Sequence, residues 1–510
     1  MTTLAAEVSA FRLVGHIFGT SNIVWSSIIG LMLLYLSIGY YIGGRIADKT
    51  PRTTKYFTII CWASITTALI PVISRPALLY AATALASLNA PVVAGAFAGT
   101  MFIFAIPITL LGCTSPFAIR LLTTNSSEAG SVAGRVYALS TIGSILGSFL
   151  PVLVTIPTFG TRYTYIAFSG ALLVTGLIGL WKHSSQSPPT FTLYMVIPFC
   201  FAAYLCSQGN IRPYDGLIHE KESSYNLIQV VERDEARYLL LNEGQGIHSI
   251  HDPNSLYTGG SWDYFLTAPF FNPPPHQVSQ VNNLLIIGLA AGTISNQYTQ
   301  IYGDIPITGI EIDEDIIEIG NEYFDMSKPN LSTIAADGRL YLNYLSDKYS
   351  VIAVDAYRLP YIPWHLTTKE FFLETKSLLT PTGVIAINVG RTSTDRRLVN
   401  ALSATLLSVF PTVHVIDVPE TFNSILVATN IKTSAYNLQE NLASLHPKSH
   451  ALLPVMLDKT INNLVPTNPN DMIFTDDRAP VEQLTDSILL NYLLGSHSLL
   501  SEKIATRPEL

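Results

Sequence analysis

Three acidic residues, Glu311, Asp337 and Asp355, each follow a short apolar run in the second half of the chain. A glycine-bearing turn from Gly288 to Gly292 precedes the first of them. An apolar strand, a glycine turn, a helix and a second strand that ends in an acid are typical of a nucleotide-binding βαβ unit. In such a unit the turn lets a ligand approach the backbone, and the distal carboxylate accepts hydrogen bonds from ribose hydroxyls. We therefore predict that Gly288 and Gly292 shape the turn and that Glu311 binds a ribose diol.

The other acids have a functional and a structural interpretation. Asp313 can cap the helix that follows it. Asp337, with Gly338 after it, is suited to an adenine amino group, and an ordinary Asp-Gly turn is the alternative. Asp355 ends the next strand, where a carboxylate could act as a general base or position an amine.

The elements that must position these residues alternate between strand and helix from Leu284 onward. Short apolar strands of this kind are expected where both faces of a sheet are covered, so residues 276–510 are predicted to form a doubly wound, Rossmann-like α/β domain. Helices are predicted at Glu314–Tyr323 and Thr368–Leu379. The predicted strands are Leu284–Gly288, Pro306–Ile310, Ser332–Ala335, Val351–Asp355, Val384–Val389, Val413–Val418 and Ser424–Ala428.

A smaller β-rich subdomain is predicted at residues 209–275. The runs Tyr225–Val231 and Tyr238–Asn242 bracket a polar, acid-rich turn, and this spacing indicates a β-hairpin. The triple proline from Pro273 to Pro275 separates the subdomain from the nucleoside-binding domain.

The first two-fifths of the chain have the composition of a membrane protein. Mean hydropathy is +0.34, and only 13% of all residues are charged. A membrane-spanning helix needs about 20 mostly apolar residues, and the uncharged runs predict a helical bundle of about seven spans within residues 1–208, with the longest run divided near Pro91. The runs are Ile23–Gly44, Tyr56–Ser74, Ala77–Ile119, Val136–Gly160, Tyr163–Trp181 and the shorter Phe191–Ser207.

Small residues and basic residues refine this interpretation. Glycines recur at a spacing of four residues, which lets helices approach closely in lipid; the pairs are Gly39/Gly43, Gly95/Gly99 and Gly143/Gly147. Basic residues cluster in the first loop, which the positive-inside rule places in the cytoplasm; they are Arg45, Lys49, Arg52 and Lys55. Counting crossings from this loop predicts an integral protein of the inner or plasma membrane with a cytoplasmic C-terminal head.

The net charge and the cysteine positions limit which classes of function are expected. A net charge of −8 without a basic stripe argues against nucleic-acid binding. The four cysteines all lie in apolar runs and fit no metal spacing, so we expect buried thiols and no metal site.

Taken together, these residues resemble a membrane-fused member of the spermidine synthase (aminopropyltransferase) family. In the first half the resemblance rests on Glu7 and Arg12, on the Gly-Gly-Arg-Ile-Ala-Asp loop that ends at Asp48, and on the segment from Gly112 to Arg120. In the second half it rests on further segments, namely Glu222–Val230, Leu239–Gln245, Glu311–Asp313, Ala336–Arg339, Val354–Tyr357 and Thr475–Glu482.

The resemblance implies transfer of an aminopropyl group from decarboxylated S-adenosylmethionine to an amine, with release of methylthioadenosine. It implies that Glu311 holds the ribose, Asp337 holds the adenine, and Asp355 deprotonates the attacking amine. It also places Tyr357 and Arg358 in the catalytic motif. The remaining residues that it assigns to the donor site are Tyr225, Gln245, Ile312 and Gly338.

Three departures from the family pattern leave the donor open. Ala291 stands where the family's glycine turn carries an acid, Arg358 replaces the second acid of an Asp-x-x-Asp pair, and Trp262-Asp263-Tyr264 replaces a Tyr-His-Glu stretch. A diamine carries two positive charges, and an unpaired cation in a dry pocket is costly. An arginine could instead pair with the carboxylate of intact S-adenosylmethionine. The alternative is that Arg358 points to solvent and Asp263 replaces the missing acid.

Two further classes of function compete with the enzyme. One is a transporter or sensor in which a nucleotide-binding head regulates the helical bundle, and the other is a non-catalytic binding module. As an enzyme, the protein is expected to have a small amine or nucleoside substrate, the lipid bilayer and no nucleic acid as its partners, and the sequence is compatible with a homodimer.

Overall fold

The computed structural model describes residues 1–18, 22–87, 92–183, 189–208, 211, 214–242, 246–357, 361–489 and 491–492. The chain divides into two compact units. The helical unit comprises Met1–Tyr214 and Glu220–Ile228, and the α/β unit comprises Asp215–His219 and Gln229–Leu510. The domain boundaries at residues 208 and 275 stay predictions.

Nine α-helices are described within the helical unit. A π-helical turn, Pro151–Thr155, joins the seventh to the eighth. The helices are α1 Thr2–Phe18, α2 Asn22–Lys49, α3 Thr53–Ala68, α4 Ile70–Ser87, α5 Val92–Gly112, α6 Thr114–Leu122, α7 Ala129–Leu150, α8 Ile156–His183 and α9 Pro189–Ser207.

The described residues support fewer membrane spans than the seven that the sequence predicts. Three helical segments are long and apolar enough to cross a membrane, namely Val24–Lys49, Gly95–Leu122 and Ala129–His183. A fourth span is added if Thr53–Ala68 and Ile70–Ala81, which are bent by 52° at a short break, count as one.

The correction has a physical reason: counting uncharged residues does not detect where helices break or continue. The predicted run Tyr56–Ser74 is divided between α3 and α4. The predicted runs Val136–Gly160 and Tyr163–Trp181 both lie in the apolar segment Ala129–His183, which is kinked at Gly160, where the backbone angles are non-helical, φ 81 and ψ 170. Phe191–Ser207 is shorter than a span, and the predicted division near Pro91 lies outside the described residues.

The glycine spacing marks close helix contacts, as predicted. A Cβ added at Gly43 would lie 2.5 Å from Cys113 Cα, and one added at Gly39 would collide with Thr109 O of α5. A Cβ at Gly99 would lie 2.5 Å from Leu78 Cδ2, and one at Gly147 would collide with Met1 O. At Gly39, Gly43 and Gly147 the neighbouring backbone is too close for a larger side chain, whereas at Gly99 the close neighbour is a leucine side chain.

Residues 220–228 are bound to the helices of the same unit. Arg12 of α1 donates a hydrogen bond of 2.7 Å to Ser223 O and another to Ser224 O. The Glu222 carboxylate accepts 2.8 Å from the Thr161 amide, just after the kink at Gly160. Near the end of α2, Asp48 forms an ion pair of 3.2 Å with Arg120 of α6.

A four-stranded sheet in the order β1-β2-β3-β4 confirms the predicted hairpin. Asp234 and Glu235 join β2 to β3 with φ angles of 50° and 67°. Two consecutive residues of positive φ are typical of a type I′ turn, whose twist matches that of the flanking strands. The strands are β1 Leu217–Glu222, β2 Leu227–Arg233, β3 Ala236–Leu241 and β4 Ile247–His251.

The eight-stranded sheet of the α/β unit has the order β12-β10-β11-β9-β8-β5-β6-β7. All seven predicted strands are present, and the predicted helix Glu314–Tyr323 has the bounds expected from the sequence. The strands are β5 Leu284–Ile287, β6 Ile307–Glu311, β7 Leu331–Ala335, β8 Tyr349–Val354, β9 Leu379–Gly390, β10 Thr412–Asp417, β11 Asn423–Thr429 and β12 Leu464–Val465. The helices are α10 Trp262–Phe265, α11 Thr293–Tyr302, α12 Glu314–Tyr323, α13 Gly338–Tyr341, α14 Lys369–Ser377, α15 Arg397–Leu407, α16 Tyr436–Ala443 and α17 Leu452–Asn462.

The sheet is mixed, a feature that the doubly wound prediction did not contain. Strands β5 to β9 pair in parallel, whereas β11 pairs antiparallel with both β9 and β10. The connection from β10 to β11 is too short for a crossover, so these two strands form a hairpin.

Both faces of this sheet are buried. Leu284, Ile286 and Val351 belong to one hydrophobic cluster, and the alternate residues Leu285 and Ile352 belong to another. Successive side chains of a strand point to opposite faces, so continuous apolar strands serve two cores. The acidic residues of interest lie at the ends of the strands.

Candidate active site

The candidate site lies at the carboxyl ends of the parallel strands. The strand order reverses between β5 and β8, and ligands of open α/β sheets bind in the crevice outside such a reversal. Gly288 follows β5, Glu311 ends β6 and Asp355 follows β8. The strand order therefore brings residues that are distant in sequence to one edge.

The turn after β5 requires glycine at both predicted positions. Gly288 and Gly292 have φ angles of 87° and 84°, and Ala290 between them also has a positive φ, 47°. A Cβ added at Gly288 would lie 2.7 Å from the backbone of Ala356. This geometry directs the Ala290 amide toward the end of β6, where it donates a hydrogen bond of 2.9 Å to Glu311 Oε2.

Glu311 is almost fully buried, with 8% of its surface exposed. Its Oε1 accepts a hydrogen bond of 3.2 Å from the Asp313 amide. Burial raises the pKa of the Glu311 carboxyl to about 7, against the opposing effect of the backbone N–H donors. The Ile312 amide is a third donor to this carboxylate, and the two oxygens together have about four acceptor positions, so one further donor can be accepted. The ribose role of Glu311 stays a prediction, and its neighbour Ile312 is 43% exposed.

Asp337 has a structural role as a helix cap, rather than in the Asp-Gly turn that the sequence indicates as the alternative. Its Oδ1 accepts hydrogen bonds of 3.0 Å from the amides of Arg339 and Leu340, which makes it the N-cap of α13. Its Oδ2 lies 3.2 Å from His365 Nε2. A Cβ at Gly338 would lie 2.5 Å from Ile287 Cγ2, so this helix start needs a glycine. Capping uses only one of the two oxygens, and the adenine role stays a prediction.

Asp355 is held by donors from two other elements. Asn388 Nδ2, on β9, donates 2.9 Å to Asp355 Oδ1, and the Trp262 side chain forms a second hydrogen bond to the carboxylate. Burial raises the pKa of Asp355 to about 6, and the two donors only partly oppose this effect. A carboxylate with its pKa close to neutrality is suited to general base catalysis.

Asn388 is a site residue that the sequence reasoning missed. It is 4% exposed, and its Nδ2 also lies 3.3 Å from Ser261 Oγ. The available signal was a single amide within the apolar run Val384–Val389. Trp262 was noted only as a departure from the family pattern, yet it contacts Asp355.

Tyr357 lies close to Asp355 on the chain segment after β8. Burial and the nearby carboxylate raise the pKa of its phenol well above the usual value, which keeps the hydroxyl protonated. Arg358 lies outside the described residues, as does Gln245. Tyr225 belongs to the helical unit, where it is 46% exposed and its amide donates 3.0 Å to Ser223 Oγ.

Asp263 has a structural explanation. It is fully buried and accepts hydrogen bonds from Thr258 Oγ1 at 2.9 Å, from the Gly259 amide at 2.8 Å and from Gln297 Nε2 at 2.5 Å. These donors occupy both carboxylate oxygens and fix the loop before α10. The geometry gives no support to Asp263 as a substitute for the missing acid near Ala291.

The described part of the chain contains no group of three or more His, Cys, Asp or Glu side chains that could hold a metal ion. Eight of the predicted site residues lie at or just after the carboxyl ends of the parallel strands of the α/β unit. They are Gly288, Gly292, Glu311, Ile312, Asp337, Gly338, Asp355 and Tyr357.

The α/β unit is similar in sequence to known proteins. A family model described as the spermine/spermidine synthase domain matches residues 274–440. A probable polyamine aminopropyl transferase from Bifidobacterium longum is 33% identical over 288 residues, which cover 52% of this chain and 62% of that protein. A polyamine aminopropyltransferase from Vibrio vulnificus is 29% identical over 256 residues, covering 48% of this chain and 81% of that protein.

A third relative has another activity in its name. The eEF1A lysine and N-terminal methyltransferase of Xenopus laevis is 25% identical over 180 residues, which cover 32% of this chain and 26% of that protein. The α/β unit therefore contains the region, residues 274–440, that matches the spermine/spermidine synthase domain. The chain spans less than two thirds of the length of the Bifidobacterium longum relative.

Proposed function

We propose that the protein is a membrane-anchored aminopropyltransferase, which transfers the aminopropyl group of decarboxylated S-adenosylmethionine to an amine and releases methylthioadenosine. The observation that carries the proposal is the partly buried Asp355 carboxylate at the carboxyl end of β8, which accepts a hydrogen bond from Asn388 and has its pKa raised to about 6. The domain match over residues 274–440 supports the same chemistry.

Each step of this reaction has a candidate residue. Glu311 binds the ribose diol, and Asp337 accepts a hydrogen bond from the adenine amino group. An amine attacks only when it is neutral, so Asp355 takes one proton from it as the new carbon–nitrogen bond forms. The carbon–sulfur bond of the sulfonium breaks at the same carbon, and its electron pair stays on the sulfur of methylthioadenosine.

The Asn388 and Trp262 donors orient Asp355 for this task. Because both bind the carboxylate, they stabilise its charged form, whereas burial favours the protonated form. The balance leaves a base that is ionised at neutral pH but remains basic enough to accept a proton. The protonated Tyr357 phenol can donate a hydrogen bond beside it.

The membrane part of the proposal rests on composition. Three helical segments are long and apolar enough to span a bilayer, and the basic cluster from Arg45 to Lys55 favours a cytoplasmic first loop. We assign the protein to the inner or plasma membrane, with the α/β unit in the cytoplasm.

A second candidate function is the use of intact S-adenosylmethionine, by methyl transfer, aminocarboxypropyl transfer or internal displacement. Two observations favour it. Ala291, where the family carries an acid, is 1% exposed and donates its amide to Ser249 Oγ at 2.9 Å, so this part of the turn offers no charge for a donor ammonium group. The second observation is the sequence similarity to a methyltransferase.

Product analysis by mass spectrometry distinguishes these candidates. Detergent-purified protein is incubated with S-adenosylmethionine or its decarboxylated form, each with and without putrescine. Methylthioadenosine formed only from the decarboxylated donor with putrescine is the expected result. Methylthioadenosine from intact S-adenosylmethionine, or S-adenosylhomocysteine, would establish the second candidate, and no turnover of either donor would contradict both.

A further inference from the structure

Arg339, two residues after Asp337, is the centre of an ionic network near the candidate site. Its guanidinium donates from Nε and Nη2 to Glu374 at 2.9 and 2.8 Å. It also donates from Nη1 and Nη2 to Asp476 at 2.7 and 2.8 Å. The Arg339 side chain is only 14% exposed, so two bidentate carboxylate pairs fix one guanidinium plane in a partly buried position.

Asp476 belongs to a segment that we call the C-terminal strap, residues 474–478. Phe474 is fully buried, its amide donates 3.0 Å to Thr405 Oγ1, and its carbonyl accepts 2.8 Å from the Lys369 amide. The Asp476 amide donates 3.0 Å to Glu370 Oε2. The strap is thus tied to the start of α14 by backbone and side-chain bonds.

Arg339 connects the strap to the nucleoside end of the site. Its Nη1 donates 3.0 Å to the carbonyl of His365, and the ring of the same histidine lies 3.2 Å from Asp337 Oδ2. Asp476 Oδ1 also accepts 2.7 Å from Thr368 Oγ1, close to the same turn. A continuous path of short polar contacts therefore runs from Asp476 through Arg339 and His365 to Asp337.

We propose that the C-terminal strap positions Asp337 for nucleoside binding, with Asp476 and Arg339 as positioning residues. The inference rests on the proposed function, because it takes Asp337 as the adenine ligand. Asp337 Oδ1 caps α13, and Oδ2 remains for the ligand and for His365. The orientation of the carboxylate therefore depends on the position of the turn that contains His365. Loss of the strap carboxylate releases Arg339 from one of its two carboxylate partners, so the turn at His365 is held less firmly.

The test compares two substitutions at adjacent positions in the full chain, each of which replaces a carboxylate by an uncharged amide. Asp476→Asn removes the charge that binds Arg339, and Asp477→Asn is the matched control at an exposed neighbour. We expect Asp476→Asn to raise KM for the decarboxylated donor, and Kd for methylthioadenosine measured by calorimetry, by about tenfold. We expect kcat to stay within about twofold, because the reacting atoms are not touched.

A merely structural role would lower the Tm of Asp476→Asn and leave KM and Kd unchanged, and that result would overturn the proposal. Asp476→Glu, which keeps the charge, should recover most of the affinity. In a double variant with Arg339→Lys, the increases in Kd should be less than additive if both residues act on one path. Additive increases would contradict the path.

The calorimetric arm separates this inference from the proposed function. If the wild-type protein binds methylthioadenosine but turns over neither donor, the aminopropyltransferase proposal fails while the comparison of Kd values still tests the strap. If the wild-type protein turns over the donor and Asp476→Asn has the same KM and Kd, only the strap proposal fails. Wild-type protein that does not bind methylthioadenosine would overturn both.

Discussion

Buried polar side chains are used differently in the two units. In the helical unit, hydroxyl groups mostly bond to their own helix, as when Thr67 Oγ1 donates 2.7 Å to Ala63 O and Ser169 Oγ donates 2.6 Å to Tyr165 O. In the α/β unit, hydroxyl groups such as that of Thr405 also bond to their own helix, but the carboxylates of the candidate site bond between elements. Glu311 accepts from the β5 turn, and Asp355 accepts from Asn388 on β9.

This difference indicates where chemistry can occur. A hydroxyl that donates to a carbonyl of its own helix has its hydrogen bond satisfied locally and needs no acceptor on another element. A buried carboxylate shared between strands has its pKa raised by burial and keeps acceptor capacity for a ligand. We therefore expect substitutions in the α/β unit to change catalysis, and those in the helical unit to change packing.

Asp355→Asn is expected to have the largest effect. An amide of the same shape cannot accept the proton of the attacking amine, so kcat should fall by roughly 10²–10⁴-fold, while the Kd for methylthioadenosine changes little. The control Asp347→Asn makes the same chemical change at an exposed position just before β8 and should leave turnover intact. Steady-state kinetics that show unchanged kcat in Asp355→Asn would remove this residue from the mechanism.

The dependence of kcat/KM on pH should follow the ionisation of Asp355. The base is active when deprotonated, so kcat/KM should fall about tenfold per pH unit below a midpoint near the folded pKa of about 6. Asn388→Ala removes a donor that stabilises the charged form, so it should move the midpoint to higher pH. A midpoint that moves downward in this variant would contradict the role assigned to Asn388.

Gly43→Ala tests the expectation that substitutions in the helical unit change packing. An alanine Cβ at this position would lie 2.5 Å from Cys113 Cα, whereas one at Gly44 would meet nothing within 4 Å. Gly43→Ala should therefore destabilise the helical unit by about 1–3 kcal/mol, and the matched control Gly44→Ala should change little. Thermal unfolding in detergent measures both, and equal Tm values would show that the close contact carries no packing constraint.

Thr67→Val is expected to have the smallest effect. The hydroxyl that it removes bonds only within α3, so the free energy of unfolding should change by less than about 1 kcal/mol. Ser64→Ala is the informative partner, because Ser64 Oγ donates 2.7 Å to Ser169 O of α8 and thus joins two helices. A larger loss for Thr67→Val than for Ser64→Ala would break the comparison between self-bonded and shared hydroxyls.

Much of the fold and part of the site followed from the sequence. Strand positions in the α/β unit could be predicted because each strand is a short apolar run that ends in a polar or glycine residue, such as Gly288 or Asp355. The close contacts at Gly39 and Gly43 followed from their spacing, since residues four apart lie on one face of a helix. The hairpin from β2 to β3 followed from a polar turn between two apolar runs.

The sequence by itself therefore determined where strands and helices occur and which acids lie at strand ends, because these depend on neighbouring residues. Only the tertiary structure decided which acids have partners. Asn388 reaches Asp355 because β9 pairs with β8, and Gln297 reaches Asp263 because α11 lies beside α10. The direction of β11 and the kink at Gly160 within Ala129–His183 were decided in the same way. Strand order and helix breaks are set by contacts between residues distant in the chain, and local patterns of residue type do not contain that information.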